Sequence, residues 1–325
     1  MKRRDFLAGL GGAAVLGPRG ASGQQAAMPV IGVLCGTRFD QGELAAVRKG
    51  LAEMGYVEGN NVLIEYRSAD GEYERLPTLA AELVDRPATV IIAIGGAVSA
   101  VTAKAATSTI PIVFSNGGDP VRLKLVSSLN RPGGNVTGVS FFVVTLGPKR
   151  LALLRELVPA TVGFGYLANP ANASVDAETA DVRQAAQGLN LSIEVRSAAN
   201  ANELDVAFAG FAAQGVGGVI VGSDAYFLSQ RSLLASLVLK YSLPAICDVR
   251  EHTLAGGLMS YGTDRTDAYR QSGAYVGKIL RGERPENLPV MQSTKFELVI
   301  NVKTAKALRL SIPEKLIALA DEVIE

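Results

Sequence analysis

Residues 90–106 read VIIAIGGAVSAVTAKAA, which is an apolar run, two glycines and then a stretch of helix-forming residues. An uninterrupted apolar run of this kind is typical of a strand covered on both faces, as strands of parallel sheets are. Gly95 and Gly96 permit a tight turn, and residues 97–106 are predicted to be helical. The stretch therefore predicts one strand–helix unit of a parallel sheet.

The same alternation extends in both directions from this unit. Further strands are predicted at residues 30–34, 62–66, 112–114 and 136–140, and further helices at 43–54 and 73–84. In the second half, strands are predicted at 162–167, 191–195, 219–221 and 244–247, and helices at 151–157, 175–187, 203–213 and 228–241. Because 325 residues are enough for two domains of ordinary size, we predict an α/β fold with two doubly wound parallel-sheet lobes.

The tail of the chain departs from this rhythm. Strand-like runs at 258–261 and 298–300 lie on either side of a helix that Asp264 can cap. We interpret the tail as returns of the chain between the lobes, which gives three hinge crossings, near residues 138–142, 258–262 and 288–297. The first lobe is then expected to hold residues 28–140 and part of 263–325, and the second residues 141–260 and part of the tail.

The first 25 residues have the features of an export signal. Lys2, Arg3 and Arg4 precede an apolar stretch at residues 6–16, which is too short to span a bilayer, and small residues follow at 21–23. The run RRDFL at residues 3–7 fits the twin-arginine pattern, which is read by an export route for folded proteins. We expect a cleaved signal peptide and a periplasmic protein; the alternative is a cytosolic protein with a basic start.

Composition disfavours several classes of function. The 32 Lys and Arg side chains balance 31 Asp and Glu side chains, so there is no basic surplus for nucleic acid. The only histidine, His252, excludes a multi-histidine metal site, and no G-K-[ST] phosphate loop is present. The run GVSFF at 138–142 misses the nucleophile elbow G-x-S-x-G. We expect no enzyme activity and no cofactor, although paired carboxylates leave acid–base chemistry open.

Polar residues follow the predicted strands at the point where each strand ends. In the first half these are Gly95 and Gly96, then Ser115, Asn116 and Asp119; in the second half they are Asn169, Asp224 and Asp248. The carboxyl ends of parallel strands meet at one edge of a sheet, where ligands bind. Backbone N–H groups and hydroxyls in one lobe suit a carboxylate, and carboxylates in the other suit an ammonium group. The pattern suggests an amino acid or a related small molecule.

Four stretches carry a resemblance to a known family: GLAEMGYVEGNNV at 50–62, NGGDPV at 116–121, RPGGNVTGVS at 131–140 and GGLMSYG at 256–262. From Met28 onward the chain resembles the ABC-transporter substrate-binding proteins related to tryptophan- and tyrosine-binding proteins. The resemblance implies the periplasmic binding protein type I fold, with the ligand trapped between two lobes. It also implies a membrane permease as partner, and we expect a monomer.

The resemblance also assigns roles to residues. It places the ligand at the strand-end residues above and at Ser140, and makes Asp224 and Asp248 the candidates for an ammonium group. Phe39, Phe141 and Tyr226 are possible ring contacts. Cys247-Asp248 and His252 stand where many members have Tyr-Glu and Phe, so an aromatic ligand is in doubt. A receptor subunit that senses a ligand for a signalling partner, or a doubly wound enzyme, would share much of this pattern.

Overall fold

A computed structural model describes residues 28–86, 88–293 and 295–325. The predicted signal peptide at residues 1–25 lies outside these residues. In the part of the chain that is described, no helix combines the length and the apolar character needed to cross a membrane.

Strands and helices alternate along most of the described chain. The strands are β1 (Val30–Cys35), β2 (Leu63–Ser68), β3 (Val90–Ile94), β4 (Ile112–Asn116), β5 (Val136–Ser140), β6 (Gly163–Ala168), β7 (Ser192–Ser197), β8 (Val219–Val221), β9 (Ala245–Cys247), β10 (Met259–Thr263), β11 (Met291–Gln292), β12 (Phe296–Asn301) and β13 (Glu322–Ile324). The helices are α1 (Gln41–Glu53), α2 (Leu76–Asp85), α3 (Ala97–Ala106), α4 (Gly147–Leu157), α5 (Val175–Gly188), α6 (Ala201–Ala213), α7 (Ala225–Ser229), α8 (Arg231–Lys240), α9 (Arg250–Leu254), α10 (Arg265–Leu280), α11 (Val302–Ala307) and α12 (Glu314–Leu319).

The strands form two sheets of similar topology. The first has the order β11-β5-β4-β3-β1-β2, and the second the order β13-β12-β10-β9-β8-β6-β7. The order reverses between β1 and β3 in one sheet and between β6 and β8 in the other, which is the doubly wound pattern. All pairs are parallel except β10 with β12, because the chain returns to the second sheet from the opposite direction. We call the two bodies built on these sheets the first and second lobes.

The chain passes between the lobes three times. It leaves the first sheet after β5 and enters α4 of the second lobe; α10, which follows β10, packs on α1 of the first lobe; and β11 and β12 belong to different sheets. These passages therefore lie within residues 141–146, at Asp264 and between β11 and β12. That they act as hinges stays a prediction.

Strand β3 shows how the sequence builds the core. All five of its residues are buried, and they alternate between the two faces of the sheet. Ile91 and Ala93 belong to one apolar cluster, and Ile92 and Ile94 to another. Each fully buried aliphatic side chain of this size stabilises the fold by about 1.5–3 kcal/mol. The interpretation of residues 90–94 as a strand covered on both faces is confirmed.

The main differences from the sequence prediction lie in the second lobe. The helix predicted at 228–241 is two helices, α7 and α8, because the Asp224 carboxylate accepts a hydrogen bond from the Phe227 amide and starts a helix early. Helices α9 and α12 and strand β13 were not predicted. They are three to six residues long, too short to show a hydrophobic period.

Candidate ligand-binding site

A cavity of about 350 Å³ lies between the two lobes. It stands at the carboxyl ends of the strands where each sheet reverses its order, which is where open α/β sheets bind ligands. Its volume is in the range of small-molecule sites. Eight of the predicted site residues line it: Phe39, Gly95, Gly96, Ser115, Asn116, Phe141, Asp224 and Asp248.

The turn from β3 to α3 presents backbone to the cavity. Gly95 and Gly96 have φ angles of 68° and 114°, a left-handed region that favours glycine. A Cβ on Gly95 would lie 2.5 Å from the sulfur of Cys35, so a larger residue would displace the neighbouring strand. No side chain in the described part of the chain caps α3. The N–H groups of its first turn, at the positive end of the helix, are therefore available to an anion.

Three buried polar side chains of the cavity wall have unused hydrogen-bonding atoms. The Ser115 hydroxyl, the Asn116 amide nitrogen and the Ser174 hydroxyl have no hydrogen-bond partner among the described residues. The side-chain oxygen Oδ1 of Asn116 accepts a hydrogen bond from the Gly118 amide at 2.9 Å, which leaves the side-chain nitrogen Nδ2 as the free group. Since buried polar atoms are nearly always paired, these three atoms need a partner that the described residues do not supply. Ser174, from the second lobe, was not predicted.

Asp224 lies at the end of β8 and is almost fully hydrogen-bonded by the protein. Its Oδ1 accepts from the Asn169 side chain at 2.9 Å and from the Phe227 amide at 3.2 Å. Its Oδ2 accepts from the Tyr73 hydroxyl, 3.4 Å away. Burial raises the pKa of Asp224 to about 6. Asn169 does not line the cavity itself, and its role in this geometry is to hold Asp224.

Asp248 lies at the end of β9 and is bound differently. Its side chain makes no hydrogen bond with the described residues, and its nearest charged neighbour is His252, whose Nε2 is 3.5 Å from Oδ1. Burial raises the pKa of Asp248, but His252, Arg150 and Arg265 outweigh burial and keep this pKa below its ordinary value. Asp248 is therefore a carboxylate at neutral pH, with oxygen atoms available to a ligand.

Four predicted residues lie outside the cavity wall, Asn169 among them. The Asp119 carboxylate instead accepts from the amides of Val121 and Arg122 and caps a turn. The Ser140 hydroxyl donates to the Gly118 carbonyl at 2.9 Å. The Tyr226 ring packs against Gly71 of the first lobe, where a Cβ would lie 3.2 Å from it. In each case another part of the protein takes up the side chain.

A charged group from the first lobe was missed by the sequence reasoning. The Arg265 guanidinium is 2.8 Å from a Glu43 oxygen and 3.5 Å from a Glu251 oxygen, and it lies over the Tyr269 ring at 5.8 Å. Arg265, Glu43 and Tyr269 line the cavity. Glu43 and Arg265 meet only because α10 packs on α1, and the sequence contains no signal for that contact.

A buried ion pair supports the second-lobe wall. Arg150 and Glu178 are 2.5 Å apart and almost inaccessible to solvent. Arg150 also donates to the Val143 carbonyl and to the Ser223 hydroxyl, and Glu178 accepts from the amide and hydroxyl of Ser223. Val143 and Ser223 line the cavity. The pair therefore fixes two wall positions, one of them in the segment between the lobes.

The candidate metal ligands in the described part of the chain are its His, Cys, Asp and Glu side chains. Among the described residues no group of three or more His, Cys, Asp or Glu side chains could hold a metal ion. Cys35 and Cys247 are both buried and free.

Comparisons with known proteins agree with this geometry. A family model described as ABC transporter substrate binding protein matches residues 41–324. The tyrosine-binding protein of Clostridioides difficile (strain R20291) is 26% identical over 260 residues, which are 80% of this chain and 74% of that protein.

Two solved structures are similar over both lobes. The crystal structure of a conserved domain protein from Vibrio cholerae has a TM-score of 0.83 at 26% identity, and covers 91% of this chain and 99% of its own. The ABC domain from Streptococcus pneumonia, solved in complex with L-Trp, has a TM-score of 0.81 at 24% identity, with the same coverage. The predicted fold class, two doubly wound α/β lobes of the periplasmic binding protein type I fold, is confirmed.

Proposed function

Because the chain belongs to the ABC transporter substrate-binding protein family, we propose that it is the extracytoplasmic solute-binding component of an ABC uptake transporter. We propose further that its ligand is an amino acid or a related small carboxylate, held between the two lobes. The observation that carries this proposal is the cavity between the lobes, whose wall contains three buried side chains with unused hydrogen-bonding atoms.

Several donor groups of the cavity wall suit a carboxylate. The free Ser115 hydroxyl, the Asn116 amide nitrogen and the Ser174 hydroxyl can each donate a hydrogen bond. The first turn of α3 adds backbone N–H groups at the positive end of a helix dipole. An anion bound there would satisfy donors from both lobes at once, and contacts that need both lobes favour closure on the ligand.

A different residue of the wall suits an ammonium group. Asp248 is charged, faces the cavity and has oxygen atoms without hydrogen bonds in the described residues. We therefore assign the ammonium contact to Asp248, with Asp224 in a supporting position. The tyrosine-binding relative supports an amino acid as ligand. Phe39 and Phe141 can supply apolar contacts to its side chain, although the charged neighbours Glu43 and Arg265 favour a ligand with a polar part.

The remaining features of the proposal follow from the family. We propose export through the segment at residues 1–25, work in the periplasm as a monomer, and delivery of the ligand to a membrane permease. No catalytic step and no cofactor form part of the proposed function. Binding in the micromolar range corresponds to about 8 kcal/mol, which one paired carboxylate, one paired ammonium group and an enclosed side chain can supply.

A thermal-shift screen of the exported protein tests the proposal. The protein is first unfolded and refolded to remove any co-purified ligand, and then mixed with amino acids, short peptides, aromatic acids and sugars. An amino acid present at about a hundredfold excess over its dissociation constant should stabilise the protein by about 2.7 kcal/mol. Stabilisation by sugars alone, or by no member of the panel, would contradict the proposed ligand class.

The residue assignment is tested by calorimetry with the amino acid that the screen identifies. Asp248→Asn keeps the shape of the side chain but removes the charge, and we expect about a hundredfold weaker binding, because an ionic hydrogen bond contributes about 1.5–3 kcal/mol. Asp119→Asn is the matched control, since Asp119 caps a turn outside the cavity. Equal affinities in Asp248→Asn and the control would refute the ammonium assignment.

A further inference from the structure

One hydroxyl group joins the two lobes beside the cavity. Tyr73 lies in a short 3₁₀ turn, Tyr73–Arg75, that follows β2 in the first lobe. Its hydroxyl accepts a hydrogen bond from the Tyr226 amide at 3.2 Å and donates one to Asp224, whose Oδ2 is 3.4 Å away. Both partners belong to the second lobe. Tyr73 is only 7% exposed and does not line the cavity, so the bridge is made by protein atoms alone.

The backbones around this bridge are in close contact. A Cβ on Gly71 would lie 3.2 Å from the Tyr226 ring, and a Cβ on Gly96 would lie 3.5 Å from that of Ala225. Tyr73 and Tyr226 also belong to one apolar cluster, which contains Leu76 of the first lobe and Phe227 of the second. The hydroxyl is thus buried between the lobes, where a hydrogen bond is harder to replace by water.

The bridge also accounts for the bonding of Asp224. Oδ1 of Asp224 is taken by Asn169 and by the Phe227 amide, and Oδ2 by Tyr73. The carboxylate that lines the cavity is therefore oriented from both lobes. If the lobes separate, Tyr73 loses both partners at once, whereas Asn169 and Phe227 stay with Asp224 in the second lobe.

We infer that Tyr73 is a positioning residue of the binding site: its hydroxyl orients Asp224 and favours the closed arrangement of the lobes before a ligand enters. This inference rests on the proposed solute-binding function and adds a control of closure to it. A contact made only in one of two states shifts the population toward that state. A protein that is already partly closed binds its ligand with a higher apparent affinity, because less of the binding free energy is used for closure.

Small-angle X-ray scattering of the ligand-free protein, refolded to remove co-purified ligand, tests the inference. The experiment compares the radius of gyration of the wild type, Tyr73→Phe and the matched control Tyr275→Phe. The Tyr275 hydroxyl donates to the Pro289 carbonyl at 2.7 Å within the first lobe, so the control loses a similar bond that does not join the lobes. Circular dichroism confirms that each variant is folded.

We expect Tyr73→Phe to lower the ratio of closed to open molecules about ten- to a hundredfold, as for a buried donor and acceptor that lose their partner. Its radius of gyration should rise, while that of Tyr275→Phe should equal the wild-type value. An unchanged radius in Tyr73→Phe would overturn the inference, and so would an equal rise in both variants.

Hydrogen exchange gives a second measurement. The Tyr226 amide donates to the Tyr73 hydroxyl, so it should exchange faster in Tyr73→Phe than in the wild type or in Tyr275→Phe. Unchanged exchange at this amide would also overturn the inference. Neither measurement uses a ligand, so a failure here is distinct from a failure of the ligand screen.

Discussion

The ends of β8 and β9 place two carboxylates on the same wall of the cavity, yet the protein treats them in opposite ways. Asp224, after β8, accepts hydrogen bonds from Asn169, Phe227 and Tyr73, and burial raises its pKa to about 6. Asp248, after β9, has no hydrogen bond among the described residues and a cation 3.5 Å away. Its pKa is lowered, because His252, Arg150 and Arg265 outweigh the effect of burial.

The difference teaches that position at a strand end does not decide what a carboxylate does. Both residues satisfy the rule for sites in open sheets, and the sequence gives them the same expected role. Their neighbours separate them: neutral donors surround Asp224 and tie it into the structure, whereas cations keep Asp248 charged and leave its oxygens free. Three experiments can test this contrast.

The largest effect is expected from His252→Gln. Burial lowers the pKa of His252, but Cys247 and Asp248 outweigh burial and raise it from 6.5 to about 10. Because the pKa of His252 is higher in the folded protein, this side chain stabilises the fold fully below pH 6.5, its pKa in the unfolded chain. This contribution is lost as the pH rises through 10. Removing one partner of a buried pair costs about 3–5 kcal/mol. Urea unfolding at pH 6 should show that loss.

The pH dependence of the folding stability is a more specific test of the same variant. The wild type should lose stability between pH 6.5 and 10, and His252→Gln should show a flatter profile over this range. Lys240→Gln is the control, since it breaks an exposed pair with Asp205 and should have little effect. Wild-type stability in His252→Gln at pH 6 would mean that Asp248 does not depend on a cation, and the contrast with Asp224 would fail.

A smaller effect, with stability again lost as the pH rises but over a lower pH range, is expected from Asp224→Asn. An acid whose pKa is raised from 3.8 to about 6 stabilises the fold below 3.8, and that contribution is lost as the pH rises through 6. The loss amounts to about 3 kcal/mol at roughly 1.4 kcal/mol per pKa unit. Asp224→Asn carries no such charge. Between pH 4 and pH 7 the wild type should therefore lose about that much stability relative to the variant, as measured by urea unfolding.

If the stability of the wild type and of Asp224→Asn changed with pH in the same way, burial would not raise the pKa of Asp224. The two carboxylates of the wall would then differ only in their hydrogen bonds.

The smallest effect is expected at Ser115, which lines the same cavity as both carboxylates. Ser115→Ala removes a buried hydroxyl that has no partner among the described residues, so the folding stability should stay the same or rise slightly. The affinity for the amino acid from the screen should fall about five- to tenfold, which corresponds to about 1 kcal/mol. Ser140→Ala is the control, because its hydroxyl already donates to Gly118. It should lower stability by about 1 kcal/mol. Weaker ligand binding without a stability loss in Ser140→Ala would reverse the two assignments.

Much of the fold follows from local patterns. The apolar run at 90–94, the glycines after it and the repeated strand–helix alternation predict two parallel-sheet lobes, and the order of both sheets agrees. Gly95 and Gly96, which were predicted to bind the ligand, line the cavity between the lobes, because a βα turn at a sheet edge is a local feature. The short elements α9, α12 and β13 were not predicted.

The polar part of the site was predicted less completely. Eight predicted residues line the cavity, but Asp119, Ser140, Asn169 and Tyr226 do not, since local hydrogen bonds or packing take up their side chains. Ser174, Arg265 and Glu43 were missed. Arg265 and Glu43 are far apart in the chain and meet across a helix–helix contact, for which a single sequence carries no pattern.

By itself the sequence determined the alternation of strands and helices, the two lobes and the sheet edges where a ligand could bind, because hydrophobic period and turn chemistry act over a few residues. Only the tertiary structure decided which side chains of those edges stay free. Tyr73 meets Asp224, and Ser174 lines the same cavity as Asn116, because two lobes come together. A carboxylate takes its charge and its partners from whatever surrounds it in space, and those neighbours come from distant parts of the chain.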